Sequence, residues 1–220
     1  LVPEVRLVPA IQPSITASLP IEYLFGRQQQ SLYDHYKGII MAKTPEDLRV
    51  YQHVIWETKP DTIVELGTYQ GGSAMWFADQ MRTLCENPNP TVITVDINPI
   101  ATSGDPAVVQ VVDELARASV KVHEWVSMRQ SKRVMVVDDS GHTYQTTSDA
   151  LRLYHDLVTP GCYFVVEDGV VDEPWRLPSF IGVVQPAIND FLEKHPEFTG
   201  HDYRPYGFGM FPNGWLERTR

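Results

Sequence analysis

The sequence predicts an α/β fold: a doubly wound, mostly parallel sheet finished by a C-terminal antiparallel hairpin. Three observations predict it. Four short β-branched runs, "TIVEL", "TVITVDI", "RVMVVDD" and "CYFVVED", are apolar on both faces, as strands covered by helices on each side must be. The segments between them carry helical spacing of apolar residues. The first run then leads through glycines into a helix start in "DTIVELGTYQGGSAMWF", the strand–loop–helix unit that holds nucleotide-like cofactors.

The 220 residues suffice for one substantial core. The opening "LVPEVRLVPAIQPSI" lacks the basic start and apolar core of a signal peptide, and its spaced prolines suggest an extended arm. Residues 1–35 are read as arm and lead-in helix, and residues 36–220 as the domain. So apolar an arm belongs on its own domain or on a neighbouring subunit, so a homo-oligomer is expected. "TPEDLRVYQHVIWETKPD" is a helix with Thr44 as N-cap, Pro45 in the first turn and an apolar stripe of Leu48, Tyr51, Val54 and Ile55. Lys59-Pro60 ends it. Further helices are expected over 72–84, 106–118 and 145–158, and one with Val183, Val184, Ala187, Ile188, Phe191 and Leu192 on a single face. "YGFGMFPNGWLER" reads as two strands around a Pro212-Asn213-Gly214 turn.

A net charge of −10 argues against a nucleic-acid backbone as partner, because phosphate binding needs clustered Lys and Arg. No run of about eighteen apolar residues is present, so no membrane span is expected. Two cysteines, Cys85 and Cys162, fit a reducing, cytoplasmic setting.

Function is concentrated at the strand ends. Each run finishes in acid: Glu65, Asp96, Asp138-Asp139 and Glu167-Asp168. The C-terminal ends of parallel strands share one edge, where ligands bind, so these carboxylates converge on one cleft. One such acid alone is often only a helix cap; four in register are harder to explain that way. A dinucleotide loop would read G-x-G-x-x-G, but here Glu65 precedes Gly67, Gly71, Gly72 and Ser73, and an acid there repels a diphosphate. S-adenosylmethionine carries a sulfonium and an ammonium instead. Glu65, Gly67, Thr68, Tyr69, Gly71 and Ser73 are therefore the expected cofactor loop, and Asp96 is placed to take the ribose hydroxyls.

Asp139, Glu167 and Asp168 offer hard oxygen donors on adjacent strand ends, which suit Mg²⁺, or Ca²⁺ in its place, better than zinc. The bland alternative is solvated charge at a strand end. His142 is the one histidine at this edge; it either caps the next helix or, as a neutral imidazole, deprotonates a hydroxyl. The other six histidines are read as structural or exposed. The loop "GVVDEPWRLPSFIG" that follows the acids is a candidate acceptor lid.

Together, "YKGIIMAKTPEDLRVYQHVIWETKPDTIVELGTYQGGSAMWFAD", "VMVVDDSGHTY", "GCYFVVEDG" and "FPNGWLER" resemble the cephalosporin hydroxylase/rhamnosyl O-methyltransferase family, from about Tyr36 to Arg218. The resemblance implies a class I, Rossmann-like methyltransferase fold, S-adenosylmethionine, often a bound Mg²⁺, oligomeric members, and tailoring of antibiotics, sugars or glycolipids. The family's metal-binding Asp falls on Asp139, its acidic pair on Glu167 and Asp168, and its histidine on His142. Gly141 stands where Asn is expected. The chain passes from "VDINPI" to "SGDPAVVQVV" without the helix and strand expected there, which points to a segment missing after Ile100.

The expected activity is metal-dependent O-methyl transfer to a hydroxyl of a sugar, polyketide or other small natural product, with Asp139 holding the metal and His142 accepting the proton. Two alternatives stand behind it. A hydroxylase of the two-histidine, one-carboxylate iron type would want an H-x-D or H-x-E pair, and none is recognised. A non-catalytic binding protein would more naturally have lost some of the acids.

Overall fold

In the computed structural model, which describes residues 19–100, 104–204 and 207–220, helix α1 (Ile21–Ser31) precedes a small antiparallel pair, β1 (His35–Tyr36) and β2 (Ile39–Ile40). The expected arm falls on residues 1–18, and the expected break after Ile100 on residues 101–103; both lie outside the described residues. Helix α2 (Pro45–Thr58) begins as its sequence prescribes. The Thr44 hydroxyl accepts the Asp47 N–H at 3.2 Å, and Lys59 ends the helix in a left-handed conformation ahead of Pro60.

There follow β3 (Thr62–Leu66), α3 (Gly72–Leu84), β4 (Thr91–Asp96), β5 (Val108–Val112), α4 (Leu115–Met128), β6 (Val134–Asp138), α5 (Tyr144–Tyr154), β7 (Tyr163–Val166), α6 (Gln185–Lys194), β8 (Phe198–His201) and β9 (Trp215–Arg218). The sheet order is β5-β4-β3-β6-β7-β9-β8, parallel from β5 to β7, with β9 antiparallel to both its neighbours. The chain winds outward from β3 to β5, then returns to the far side of β3 as β6. The switch point therefore lies between β3 and β6, the place where such sheets bind ligands.

Alternate residues of each strand feed two cores. Ile63, Val92, Met135, Val137 and Val165 pack with Tyr51, Val54, Ile55, Phe77 and Met81 of α2 and α3. Val64, Ile93, Val95, Val136 and Phe164 pack with Ala118, Val122, Leu151, Ile188 and Phe191 of α4, α5 and α6. This double burial is what the runs apolar on both faces require.

Two sequence expectations are corrected. Residues 106–118 are not one helix: Val108–Val112 pairs in register with Val92–Asp96 as an edge strand, and α4 starts only at Leu115. The four β-branched valines satisfy the open edge of β4 better than they would a helix. The hairpin also has a different first strand. The turn at Pro212-Asn213-Gly214 forms, with the Gly214 N–H on the Phe211 carbonyl at 3.0 Å, but β9 pairs with β8 rather than with residues before the turn. Phe208, Met210 and Phe211 instead sink into the core beside α2.

Gly214 has no room for a side chain, because a Cβ there would lie 2.1 Å from the Val166 carbonyl oxygen. Gly214→Ala should cost about 2–3 kcal/mol by displacing β9 from β7. Gly26→Ala, on an exposed face of α1 with no neighbour within 4 Å, should instead gain roughly 0.5–1 kcal/mol. Urea unfolding of both variants checks the pair, and equal effects would contradict this packing.

Asp47 ties α2 to that same segment. Its buried carboxylate takes the Thr44 hydroxyl and the Met210 N–H, the latter at 3.1 Å, and burial lifts its pKa to about 7. The folded protein thus keeps a proton on Asp47 that the unfolded chain releases at acid pH. The resulting stabilisation is complete below the unfolded value near 4 and is lost as pH rises through about 7. Between pH 5 and 8, Asp47→Asn should lose less stability than the wild type by roughly 2–3 kcal/mol. Parallel denaturant titrations at the two pH values would show it; identical losses would mean Asp47 is ionised throughout.

Candidate active site

A cavity of about 940 Å³ opens at the C-terminal edge of the parallel strands, at the switch point. Gly67, Thr68, Tyr69, Ser73 and Asp96 line one side, and Asp139, His142, Asp168 and Phe180 line another. The loops after β3 and β6 touch: a Cβ on Gly67, whose φ is +93°, would lie 2.1 Å from the Asp139 carbonyl oxygen. Only glycine fits both that approach and that conformation. Gly71, at φ +89°, turns the chain into α3.

The cofactor-loop residues separate into two groups. Asp96 braces the loop, its Oδ2 accepting the Thr68 and Tyr69 N–H groups at 3.0 Å each while Oδ1 takes the Asn98 N–H. Glu65 does not reach the cavity wall. It is fully buried beneath the loop, with Oε2 accepting the Thr94 hydroxyl at 2.6 Å and Oε1 lacking a hydrogen-bond partner. The strand pleat turns its side chain into the core. Burial raises its pKa to about 7, against the pull of Lys43.

After β6 the two aspartates part company, as adjacent strand residues must. Asp138 is buried and holds the turn through the Ser140 hydroxyl at 2.6 Å. Asp139 faces the cavity. Thr143, not His142, caps α5, in a reciprocal pairing with Thr146. That leaves the His142 ring free to point back, with Nε2 3.2 Å from Asp168 Oδ2 and 3.9 Å from Asp139 Oδ1. Burial alone would lower its pKa, but Asp168 and Asp139 raise it above the ordinary histidine value. Tyr69, His142 and Asp168 all sit in the left-handed region, at φ 48°, 47° and 54°. Ala42, in the same wall, shares that conformation at φ 53°, as do Lys37, Lys59, Glu86, Gln130 and Asn213 away from the cavity.

The structure brings Asp139, His142 and Asp168 together, with one donor atom of each within 4.8 Å of the others. It does not add Glu167 to that group. Glu167 is buried and turned to Lys43, whose Nζ donates to its two oxygens at 2.7 and 2.6 Å, and to Tyr51, whose hydroxyl donates at 2.6 Å. The same Nζ reaches Asp139 Oδ2 at 3.0 Å. Burial would lower the Lys43 pKa, yet Asp139 and Glu167 hold it above the ordinary lysine value.

Lys43 and Tyr51 are the site residues that sequence reasoning missed. Tyr51 was visible only as part of an apolar stripe, and Lys43 only as the residue before an N-cap. The signal for a buried cation was the acid excess itself, which needs counter-charge. The 169–182 loop is held from the other end of the chain: Gln28 of α1 donates to the Trp175 carbonyl at 3.1 Å and accepts the Leu177 N–H at 2.8 Å.

The donor chemistry fits a hard divalent cation. Asp139 and Asp168 present oxygens to the cavity, and Asp139 and Glu167 already converge on a point that accepts one positive charge, the Lys43 ammonium. A two-histidine, one-carboxylate set also exists, away from this cavity: His155, His195 and Glu197. His195-Pro196-Glu197 is an H-x-E pair, so the expectation that the chain holds none is corrected.

The family model described as Rhamnosyl O-methyltransferase/CmcI matches residues 28–219. The rhamnosyl O-methyltransferase of Mycobacterium tuberculosis (strain ATCC 25618 / H37Rv) is 28% identical over 203 residues, covering 84% of this chain and 78% of the relative. That of Mycobacterium leprae (strain TN) is 26% identical over 187 residues, covering 82% and 81%. Among solved structures, cmcI-D160 Mg-SAM aligns with a TM-score of 0.63 at 20% identity, covering 98% of this chain and 93% of that one. The MycE methyltransferase from the mycinamycin biosynthetic pathway, in complex with Mg and SAH, aligns at 0.53 and 15% identity, covering 91% and 53%. At such identities the likeness is one of fold. No described helix is long and apolar enough to cross a membrane.

Lys43→Met should destabilise the protein by about 3–5 kcal/mol, because it strands buried carboxylates without a counter-charge. Adding Glu167→Gln should restore much of that loss. Chemical denaturation of the single and double variants tests the coupling, and simple additivity would show that the lysine does not neutralise Glu167.

Proposed function

Because the chain belongs to the Rhamnosyl O-methyltransferase/CmcI family, we propose that it moves the methyl group of S-adenosylmethionine to a hydroxyl of a sugar or other small natural product, with a divalent metal ion at the acceptor. The observation that carries this reading is the meeting of Asp139, His142 and Asp168 in the wall of one cavity, opposite the Gly67–Tyr69 loop.

Gly67, Thr68, Tyr69 and Ser73 would receive the methionine end of the cofactor, and Asp96 its ribose. Glu65, buried beneath the loop, would support it through the Thr94 hydroxyl, which also meets Thr68, rather than touch the cofactor. Asp139 and Asp168 would hold Mg²⁺, with Ca²⁺ as the substitute, and Glu167 would join them by giving up Lys43. A bound cation supplies a lowered pKa at the acceptor hydroxyl.

The chain's own residues do the rest. His142, whose Nε2 faces Asp168 and Asp139, would accept the proton of the hydroxyl. The alkoxide oxygen then attacks the methyl carbon as the carbon–sulfur bond breaks, aided chiefly by alignment of the two reactants. Phe180 contributes an apolar surface for the acceptor and for exclusion of water. The presence of such an acceptor in antibiotic or glycolipid tailoring is part of the proposal.

Calorimetric titration with S-adenosylhomocysteine, first with Mg²⁺ and then with a chelator, should give binding in both conditions. Asp139→Ala should retain that binding while methyl transfer to deoxysugar-bearing acceptors falls by more than about 100-fold. Undiminished turnover would remove the metal role, and no cofactor binding in either condition would remove the methyltransferase reading.

A further inference from the structure

A second cluster of metal-ligand side chains lies at the opposite end of the molecule. Helices α5 and α6 both start at the cavity edge: Thr143 follows His142, and Asp172, in the loop after the β7 acids, accepts the Gln185 N–H at 2.7 Å. Each runs back along the sheet for about 15 Å. Their C-terminal ends therefore meet at the N-terminal edge of the strands, and there stand His155, just after α5, and His195, just after α6, with Glu197 two residues on. None of the three lines the cavity.

The arrangement is oriented, not incidental. His155 Nδ1 donates to the Leu151 carbonyl at 2.9 Å, and since a carbonyl can only accept, this fixes the proton on Nδ1 and the lone pair on Nε2. A backbone acceptor on one ring nitrogen is how ligating histidines are commonly held. The His195 ring stacks on Phe191 with centroids 4.2 Å apart and meets the His155 ring at 4.5 Å. Its Nδ1 lies 2.9 Å from Glu197 Oε1. The Glu197 carbonyl is itself held by the Thr219 N–H at 2.8 Å, at the end of β9. One donor atom from each side chain lies within 4.8 Å of the other two. A tetrahedral zinc ion with bonds of about 2.0–2.2 Å needs donors roughly 3.3 Å apart, a closure within reach of half-buried side chains.

We propose that His155, His195 and Glu197 form a binding site for a borderline divalent transition metal, Zn²⁺ foremost, with one coordination position open to water. Two imidazoles and one carboxylate select against Mg²⁺, which prefers oxygen ligands alone. The metal takes the place of the proton that His195 shares with Glu197. It ties the end of α5 to the junction of α6 and β8, joining two segments forty residues apart in sequence. The protein thus carries two sites of opposite hardness at opposite edges of one sheet. Distance from the cavity separates this site from the methyl-transfer chemistry, so it serves structure or regulation and is not an oxygenase centre for the same acceptor.

The test is calorimetric titration of the full chain with Zn²⁺ in millimolar Mg²⁺, backed by the visible d–d absorption of Co²⁺. One equivalent should bind in the wild type and in Asp139→Ala alike, with tetrahedral Co²⁺ bands. His155→Ala and His195→Ala should each weaken it by more than about tenfold. Glu197→Gln, which keeps size and backbone contacts, should do the same, with circular dichroism verifying the fold. The proposal is overturned if no Zn²⁺ binds in excess Mg²⁺, if Asp139→Ala removes the bound equivalent, or if the three variants bind like the wild type.

Discussion

The Lys43 ammonium is the constraint on which the rest of this structure turns. A parallel sheet with acid at the end of each central strand gathers like charges onto one edge, and three of them, Glu65, Asp138 and Glu167, are out of water. Buried carboxylates of one sign either protonate or find a counter-charge. Here both happen. Glu65 and Asp138 are pushed up to about 7 by burial, while Asp139 and Glu167 share a single fully buried lysine. The lysine comes from the residue just before the N-cap of α2, so the start of that helix is also what aims the cation. Thr44, Asp47 and the Met210 N–H pin that first turn, and Tyr51 one turn later supplies the second donor to Glu167.

Tyr51 shows how core and site are one system. Its ring packs edge-on against Phe77 at 5.1 Å and Trp215 at 4.8 Å, contacts each worth about 0.5–1.5 kcal/mol beyond their area. The rotamer that this packing selects is the one that brings the hydroxyl to Glu167. Truncating any ring of that cluster would therefore loosen a hydrogen bond at the cavity edge as well as the core. The same economy appears at the switch point, where Gly67 lets two backbones touch and so sets the width between the glycine loop after β3 and Asp139.

Much of this was legible in the sequence, and the reasons for the exceptions are physical. Runs apolar on both faces placed four strands correctly, and Thr44 with Pro45 placed α2, because period and capping act locally. The segment Val108–Val112 falls inside an expected helix because an open sheet edge is a tertiary fact that no window of sequence contains. Alternation says only that one of Asp138 and Asp139 need face the cavity, and the family resemblance points to Asp139; Asp138 is buried while Asp139 lies in the cavity wall. Glu65 and Glu167 were legible as strand-end acids but not as buried ones, since which way a pleat points depends on register with the neighbouring strands. Lys43 is beyond local inference: only the sum of charges from four distant segments calls for it.

The two titratable clusters at the two edges of the sheet differ for a reason rooted in topology. At the C-terminal edge, strands end and loops begin, so side chains one residue beyond each strand converge and short acids reach a common point. At the N-terminal edge it is the helices that end, and a residue just past a helix end projects from a carbonyl-rich, partially negative terminus. Imidazoles suit that position because Nδ1 can satisfy a terminal carbonyl, as His155 does with Leu151, while Nε2 remains available. The fold therefore gathers strand-end acids with His142 at one edge and helix-end imidazoles with Glu197 at the other, without any sequence motif spanning either set. A search for ligands by short spacing finds only the half of such a set that lies within one turn, as His195 and Glu197 do, and loses the partner that arrives on another helix.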